Sequence, residues 1–456
     1  MRPTHLHLGF CTSEYIIPPD RLDGGLATYV QKTARGLVAR GHDASVFCLS
    51  DRDARWMDEG VHVYEIRAQP LRSGPSRLWG QVLETQRTLE NSCRLAAKLL
   101  EVHRERPLDV VQAASYQAVG IALCNNGVLP LISRISSSSP LYRRADGKAG
   151  SPLAVLTDWC ELHQLRQSDR CFAPSELMVR CHSRSRGPHP TLLRSPVDAQ
   201  TEALDDSFYE RHLRGMKYLL YFGTLNRMKG LEVLSQVIGP MIKAFPDLHF
   251  AFIGRTGAPR DQQFFAEKVL RNNQEWLDHI HQFPPLPKNL LFPAVRHAHG
   301  VVIPSLIDNY PNTCLEAMQF GRIVVGTRDT SIDEMIVDGE TGILVEKGSA
   351  NSLQAGIKRL LELSPAARQA MEQRVQEAFQ GIAAEDRLGN LIEFYCATIE
   401  AFNSARDHAS TGGQQDRLAR IRKRQLWFDV LGEGVNNALQ AFENVRNSLI
   451  GKPNLT

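Results

Sequence analysis

Asp308 and Glu316, eight positions apart in PSLIDNYPNTCLEAMQFG (304–321), are the side chains in this sequence best spaced for chemistry on a ligand. The apolar run HGVVIPSL (299–306) reads as a buried strand, NYPNT as a turn, and LEAM as the opening of a helix. In open α/β sheets, ligands bind where a strand's C-terminal end runs into a helix N-terminus, because the unpaired N–H groups there attract anions. An acid, a row of turn amides and a second acid can together hold a sugar, a diphosphate and a ribose. A second reading competes: Thr313-x-x-Glu316 fits a capping box, in which the glutamate serves only its own helix start.

Cations to complement a diphosphate occur in YFGTLNRMKGLEVL (221–234), a strand, turn and helix start carrying Arg227 and Lys229. In DGGLATYV (23–30) the pair Gly24 and Gly25 precedes a helix, where glycine permits close backbone approach and the helix dipole favours a phosphate.

The elements that must position these residues form two similar halves. Strand candidates in the first are HLHLGF (5–10), ASVFCL (44–49), VHVYEI (61–66), LDVVQA (108–113) and PLISRI (130–135), with an amphipathic helix ending at Gly41. A polar, proline-bearing stretch near 184–215 is the boundary candidate. The second half restarts with KYLLYFG (217–223) and continues through LHFAFIG (248–254), HIHQF (279–283), GVVIPS (300–305) and RIVVGT (322–327). Strands alternating with helices predict mainly parallel, helix-covered sheets.

The run 304–321 resembles the acid-x7-acid motif of retaining glycosyltransferases with two Rossmann-like domains (GT-B architecture, family 4, group 1). DEMIVDGETGILVE (333–346) resembles that family's DG-x-x-G-x-L-V scaffold segment, and Lys229-Gly230 its Lys-Gly pair. The resemblance covers roughly the first 400 residues. It implies an α/β fold of two Rossmann-like domains facing across a cleft, with a helical C-terminal extension. The expected organisation is an acceptor-side domain at 1–200, a nucleotide-sugar-binding domain at 215–384, a helix crossing back at 385–403, and a linker and basic amphipathic tail at 404–456.

By that resemblance, Glu316 grips the ribose and Asp308 orients the sugar, while Asn309, Tyr310, Pro311, Asn312 and Thr313 meet sugar and phosphate. Lys229 stabilises the leaving diphosphate, and Gly24 and Gly25 close over it. Gly254 and Arg255, in IGRTG (253–257), lie where the base is expected. The chain departs from the family's pattern in three places. Asp308 stands where Glu is usual, shorter by about 1.5 Å. Thr224 replaces an Arg after the strand glycine, which leaves Arg227 as the candidate to reach the phosphate from the turn. Gln112 and Ala114 replace a His-x-His, so no acceptor-side base can be named; Ser115, Arg134 and Ser136 to Ser139 lie nearby.

The implied activity is transfer of a sugar from a nucleotide donor, UDP- or GDP-linked, with retention, no obligatory metal and no cofactor. A nucleotide-sugar epimerase and a non-catalytic partner subunit are the alternatives. A formal net charge of +3 gives no argument for nucleic acid, and no apolar run reaches the ~18–20 residues of a membrane span. Nine scattered cysteines without a C-x2-C pair indicate neither zinc nor a disulfide framework, which suits a reducing cytoplasm. The tail carries RLARIRKR (417–424) and an apolar stripe from Trp427 to Leu449, features that fit docking on the body, on another subunit, or on the inner face of a membrane near a lipid-linked acceptor.

Overall fold

Apolar runs of four to eight residues become strands because burial on both faces of a helix-covered sheet rewards a continuous apolar segment. The computed structural model describes residues 5–16, 24–70, 77–147, 154–183, 187–197, 203–256 and 259–410. The first sheet contains β1 (His7–Thr12), β2 (Asp43–Ser50), β3 (Ala54–Asp58), β4 (Val61–Arg67), β5 (Val110–Ala114), β6 (Leu131–Arg134), β7 (Arg170–Ala173) and β8 (Thr191–Leu192). Its order is β3-β4-β2-β1-β5-β6-β7-β8, parallel except for the antiparallel β3–β4 pair. The second contains β9 (Lys217–Phe222), β10 (Leu248–Ile253), β11 (Ile280–Phe283), β12 (Gly300–Ile303), β13 (Val324–Thr327) and β14 (Ile343–Val345). It runs β11-β10-β9-β12-β13-β14, parallel throughout.

Both sheets reverse their winding beside their first strand, between β1 and β5 and between β9 and β12. Such switch points open a crevice at the strands' C-terminal ends. Apolar clusters fill both faces of each sheet, for example Leu220, Val301 and Met318 on one side of the second and Leu219, Phe250 and Ile357 on the other.

The helix Arg387–Ser410 follows the second sheet but packs on the first. Leu391, Phe394 and Tyr395 join the cluster of Leu8, Tyr29 and Val46, and Arg40 pairs with Asp386 at 2.5 Å. Among the described residues no helix is long and apolar enough to cross a membrane. The basic amphipathic tail lies outside the described residues from 411 onward.

Three local expectations change. β3 is an unforeseen edge strand, a half-exposed ARWMD closed onto β4 by Glu59-Gly60 with φ of 47° and 87°. Positive φ at both positions is the signature of a type I′ hairpin turn. β7 and β8 extend the first sheet, unannounced by the sequence because RCFA opens on a charge and is cut by Pro174, and β8 is only two residues long. The helix of the acid motif begins at Asn312, before LEAM.

Candidate active site

The second sheet's switch point gathers the ends of β9, β10 and β12. Gly223 and Thr224 follow β9, Gly254 and Arg255 follow β10, and Pro304 to Pro311 run from β12 into the helix Asn312–Gln319. Gly254 is required by packing, since a Cβ there would fall on the Gly223 carbonyl. Gly223 in turn faces the Thr313 methyl, so the first turn of the site helix borders the β9 loop.

Asp308 is 5% exposed and its two oxygens lie 2.9 and 2.8 Å from Lys229 Nζ. Ser305 Oγ donates to Oδ2 at 2.9 Å and the Asn309 N–H to Oδ1 at 3.2 Å. Lys229 is fixed from its own side: Asn226 Oδ1 accepts its N–H, and Gly230 turns the chain at φ 77°. The Asp308 charge is felt nearby. Burial, reinforced by Asp308, pushes the Tyr221 phenol and Cys314 thiol upward, and the Tyr142 phenol across the cleft as well. A lysine and a carboxylate held together where a strand meets a helix can exchange partners with a ligand's phosphate and hydroxyl groups.

Glu316 is no cap. The residue before the helix is Pro311, no side chain caps the first turn, and Thr313 lies inside the helix. The capping-box reading therefore fails, and the Glu316 carboxylate pairs with Lys288 at 3.3 Å, with 17% of its side chain exposed. Pro311, Asn312 and Thr313 present backbone at the helix start, but the two preceding residues turn away. Asn309 accepts from Ser175 Oγ at 2.8 Å and donates to the carbonyls of Ile135 and Ser136 at 3.1 and 2.9 Å. Tyr310, at φ 60°, is buried between the guanidinium groups of Arg194 and Arg387 and accepts from Arg387 at 3.1 Å. Asn309 thereby joins the two domains, and Tyr310 sits in the second sheet's core with its hydroxyl held by the closing helix. Arg227 Nε pairs with Glu232 at 3.1 Å, and its guanidinium lies against Gly147 of the first half.

From the opposite side, Gly24 starts the helix Gly25–Ala39 without a side-chain cap. A Cβ on Gly24 would stand 3.4 Å from Glu14 and 3.7 Å from Arg255, whereas one on Gly25 would meet open space. Gly24 and Arg255 thus face each other across the cleft. Glu334 adds a strap there: it pairs with Arg194 and accepts the N–H groups of Glu176 and Leu177 at 2.8 and 2.9 Å. Gln112, where the family resemblance implied His, accepts from Tyr29 at 3.2 Å and Tyr395 at 2.6 Å, tying the first helix to the closing one. Sequence reasoning missed Lys288, Ser305 and Glu334. Only Ser305, three residues before Asp308, was within reach of the motif.

Comparison with known proteins adds the family context. The family model described as glycosyl transferases group 1 matches residues 216–363, and the glycosyl transferase 4-like domain matches 24–194. A D-inositol 3-phosphate glycosyltransferase of Paenarthrobacter aurescens is 31% identical over 342 residues, covering 71% of this chain and 81% of that one. Among solved structures, sucrose-phosphate synthase from Thermosynechococcus elongatus superposes with TM-score 0.70 at 17% identity, over 87% of this chain and all of that one. HepE of Anabaena, solved in complex with UDP-glucose, gives TM-score 0.62 at 14% identity, over 87% and 100% of the two chains.

Proposed function

This chain belongs to the group 1 glycosyltransferases, and we propose that it moves a sugar from a nucleotide-sugar donor to an acceptor with retention at the anomeric carbon. The observation that carries this reading is the part-buried Lys229–Asp308 pair beside the site helix at the second sheet's switch point. Lys229 meets the diphosphate, whose charge grows as the sugar bond breaks. Asp308, released from Lys229, orients the sugar hydroxyls, and Glu316, released from Lys288, accepts from the ribose. The amides of Asn312 and Thr313 add the helix dipole. Gly24 and Gly25 close from the first domain, and Gly254, Arg255 and Thr224 border the base and phosphate.

Front-face attack by the acceptor, with the departing phosphate taking its proton, gives retention and needs no histidine at Gln112. A UDP-sugar is the first donor to test, because the Anabaena fold neighbour was solved with one. The test is slow donor hydrolysis followed by proton NMR of the released sugar before it mutarotates. A product with the donor's own anomeric configuration supports the reading, and an inverted product refutes retention.

A further inference from the structure

The first sheet has its own switch point, between β1 and β5, and a strained turn stands in it. β5 ends at Ala114, and Gln117 and Ala118 follow with φ of 59° and 45°, two consecutive left-handed residues that are not glycine. That conformation costs roughly 1–2 kcal/mol per residue and persists only where neighbours enforce it. The enforcing groups come from the helix Ala154–Gln167. Glu161 Oε1 accepts the Gln117 N–H at 3.1 Å and the Ser139 hydroxyl at 2.8 Å. One turn later Gln164 accepts the Gly120 N–H at 2.8 Å and donates to the Ala114 carbonyl at 3.0 Å. Both clamping side chains are buried.

The result of this strain is Tyr116. Its neighbours Ser115 and Ala118 are 1% and 0% exposed, whereas Tyr116 stands 40% exposed. Burial pushes its phenol upward, and the carboxylates of Glu14, Glu161 and Glu84 lie near enough to add to that shift. Glu14 also borders Gly24, which faces Arg255, so Tyr116 stands at the cleft end of β5, on the side of the candidate donor residues.

We propose that Tyr116 is the acceptor platform, positioned by Glu161 and Gln164, and that it takes a neutral hydroxylated ring, a sugar or polyol, rather than a phosphorylated one. A part-exposed aromatic ring suits the C–H face of such a ring. The Glu14 and Glu84 carboxylates near it accept hydroxyl donors and repel a phosphate. Burial pushes the Glu161 carboxyl up to about 7, so the clamp carries only part of a charge near neutrality. This inference rests on the glycosyltransferase reading and assigns its acceptor side.

The test is saturation-transfer NMR of glucose, fructose and myo-inositol beside their phosphates, in the presence of UDP. Transfer kinetics follow for whichever compound binds. Binding by a neutral member is expected, with Tyr116→Ala raising its KM at least 10-fold at a kcat changed less than 3-fold. Tyr116→Phe and Glu161→Gln, which keep the ring and the amide's acceptor oxygen, should stay within 3-fold, and Glu161→Leu should behave as Tyr116→Ala does. Binding of phosphorylated members alone, no neutral binder, or an acceptor KM indifferent to Tyr116→Ala overturns the proposal. Affinity for UDP, GDP, ADP and TDP is measured alongside: absence of all four in the wild type would sink the glycosyltransferase reading itself, whereas intact affinity for one of them confines any failure to the acceptor side.

Discussion

Replacing Lys229 with Met keeps the apolar stem and removes the charge that Asp308 faces at 2.8 and 2.9 Å. Breaking a buried ion pair from one side costs about 3–5 kcal/mol, because the remaining charge is stranded. Here the lysine side chain is 29% exposed, and Ser305 and the Asn309 amide still donate to the carboxylate, so about 2–3 kcal/mol is expected. Asp308→Asn leaves Lys229 able to turn toward solvent and should cost about 1–2 kcal/mol. The double variant should cost less than the sum by about 1–2 kcal/mol, the signature of direct coupling. Urea unfolding of the four proteins measures this cycle. In turnover, Lys229→Met should lower kcat/KM by about 10²–10³, as loss of an electrostatic stabiliser does. Additivity within about 0.5 kcal/mol, together with near-wild-type turnover, would refute both the pairing and its role.

Other consequences are equally open to measurement. Lys288→Ala removes a half-exposed partner of Glu316 and should change stability by no more than about 1 kcal/mol in thermal melts, since exposed pairs contribute little. Asn309→Ala and Glu334→Ala cut links between the two domains, and the pair of changes should enlarge the radius of gyration in solution scattering; an unchanged value would mean these contacts do not hold the cleft closed. The Glu161 carboxyl, raised from 4.5 to about 7 by burial, binds its proton more tightly folded than unfolded. Its contribution is therefore complete below about pH 4.5 and lost as pH rises through 7, and Glu161→Gln should flatten the stability profile there by about 2–3 kcal/mol.

The motifs revealed backbone positions better than side-chain directions. KYLLYF, LHFAFI and GVVI were legible as strands because continuous apolar runs have few other uses in a helix-covered sheet. ARWMD was not, because an edge strand alternates burial and tolerates Arg55 and Met57 in solvent. Asp308, Lys229 and Glu316 were found as types at characteristic spacing. That Asp308 and Lys229 pair with each other, 79 residues apart, is a property of neighbouring strand ends that no local pattern carries. Lys288 reaches Glu316 in the same non-local way. Asn309 and Tyr310 show the converse. The NYPNT turn is where the motif places it, yet Asn309 reaches the other domain and Tyr310 packs into the second domain's core with its hydroxyl on Arg387. The strained turn at Gln117 and Ala118 left no mark in the sequence, since neither residue type advertises positive φ.

The most direct test of the account is donor affinity at Glu316, measured by calorimetry over UDP-, GDP-, ADP- and TDP-sugars for wild type and Glu316→Ala. The account predicts that wild type binds one of these donors and that a still-folded Glu316→Ala binds it about 10- to 150-fold more weakly, the loss of a charge-assisted hydrogen bond. Equal affinity in both proteins, or no donor bound by the wild type, would contradict it.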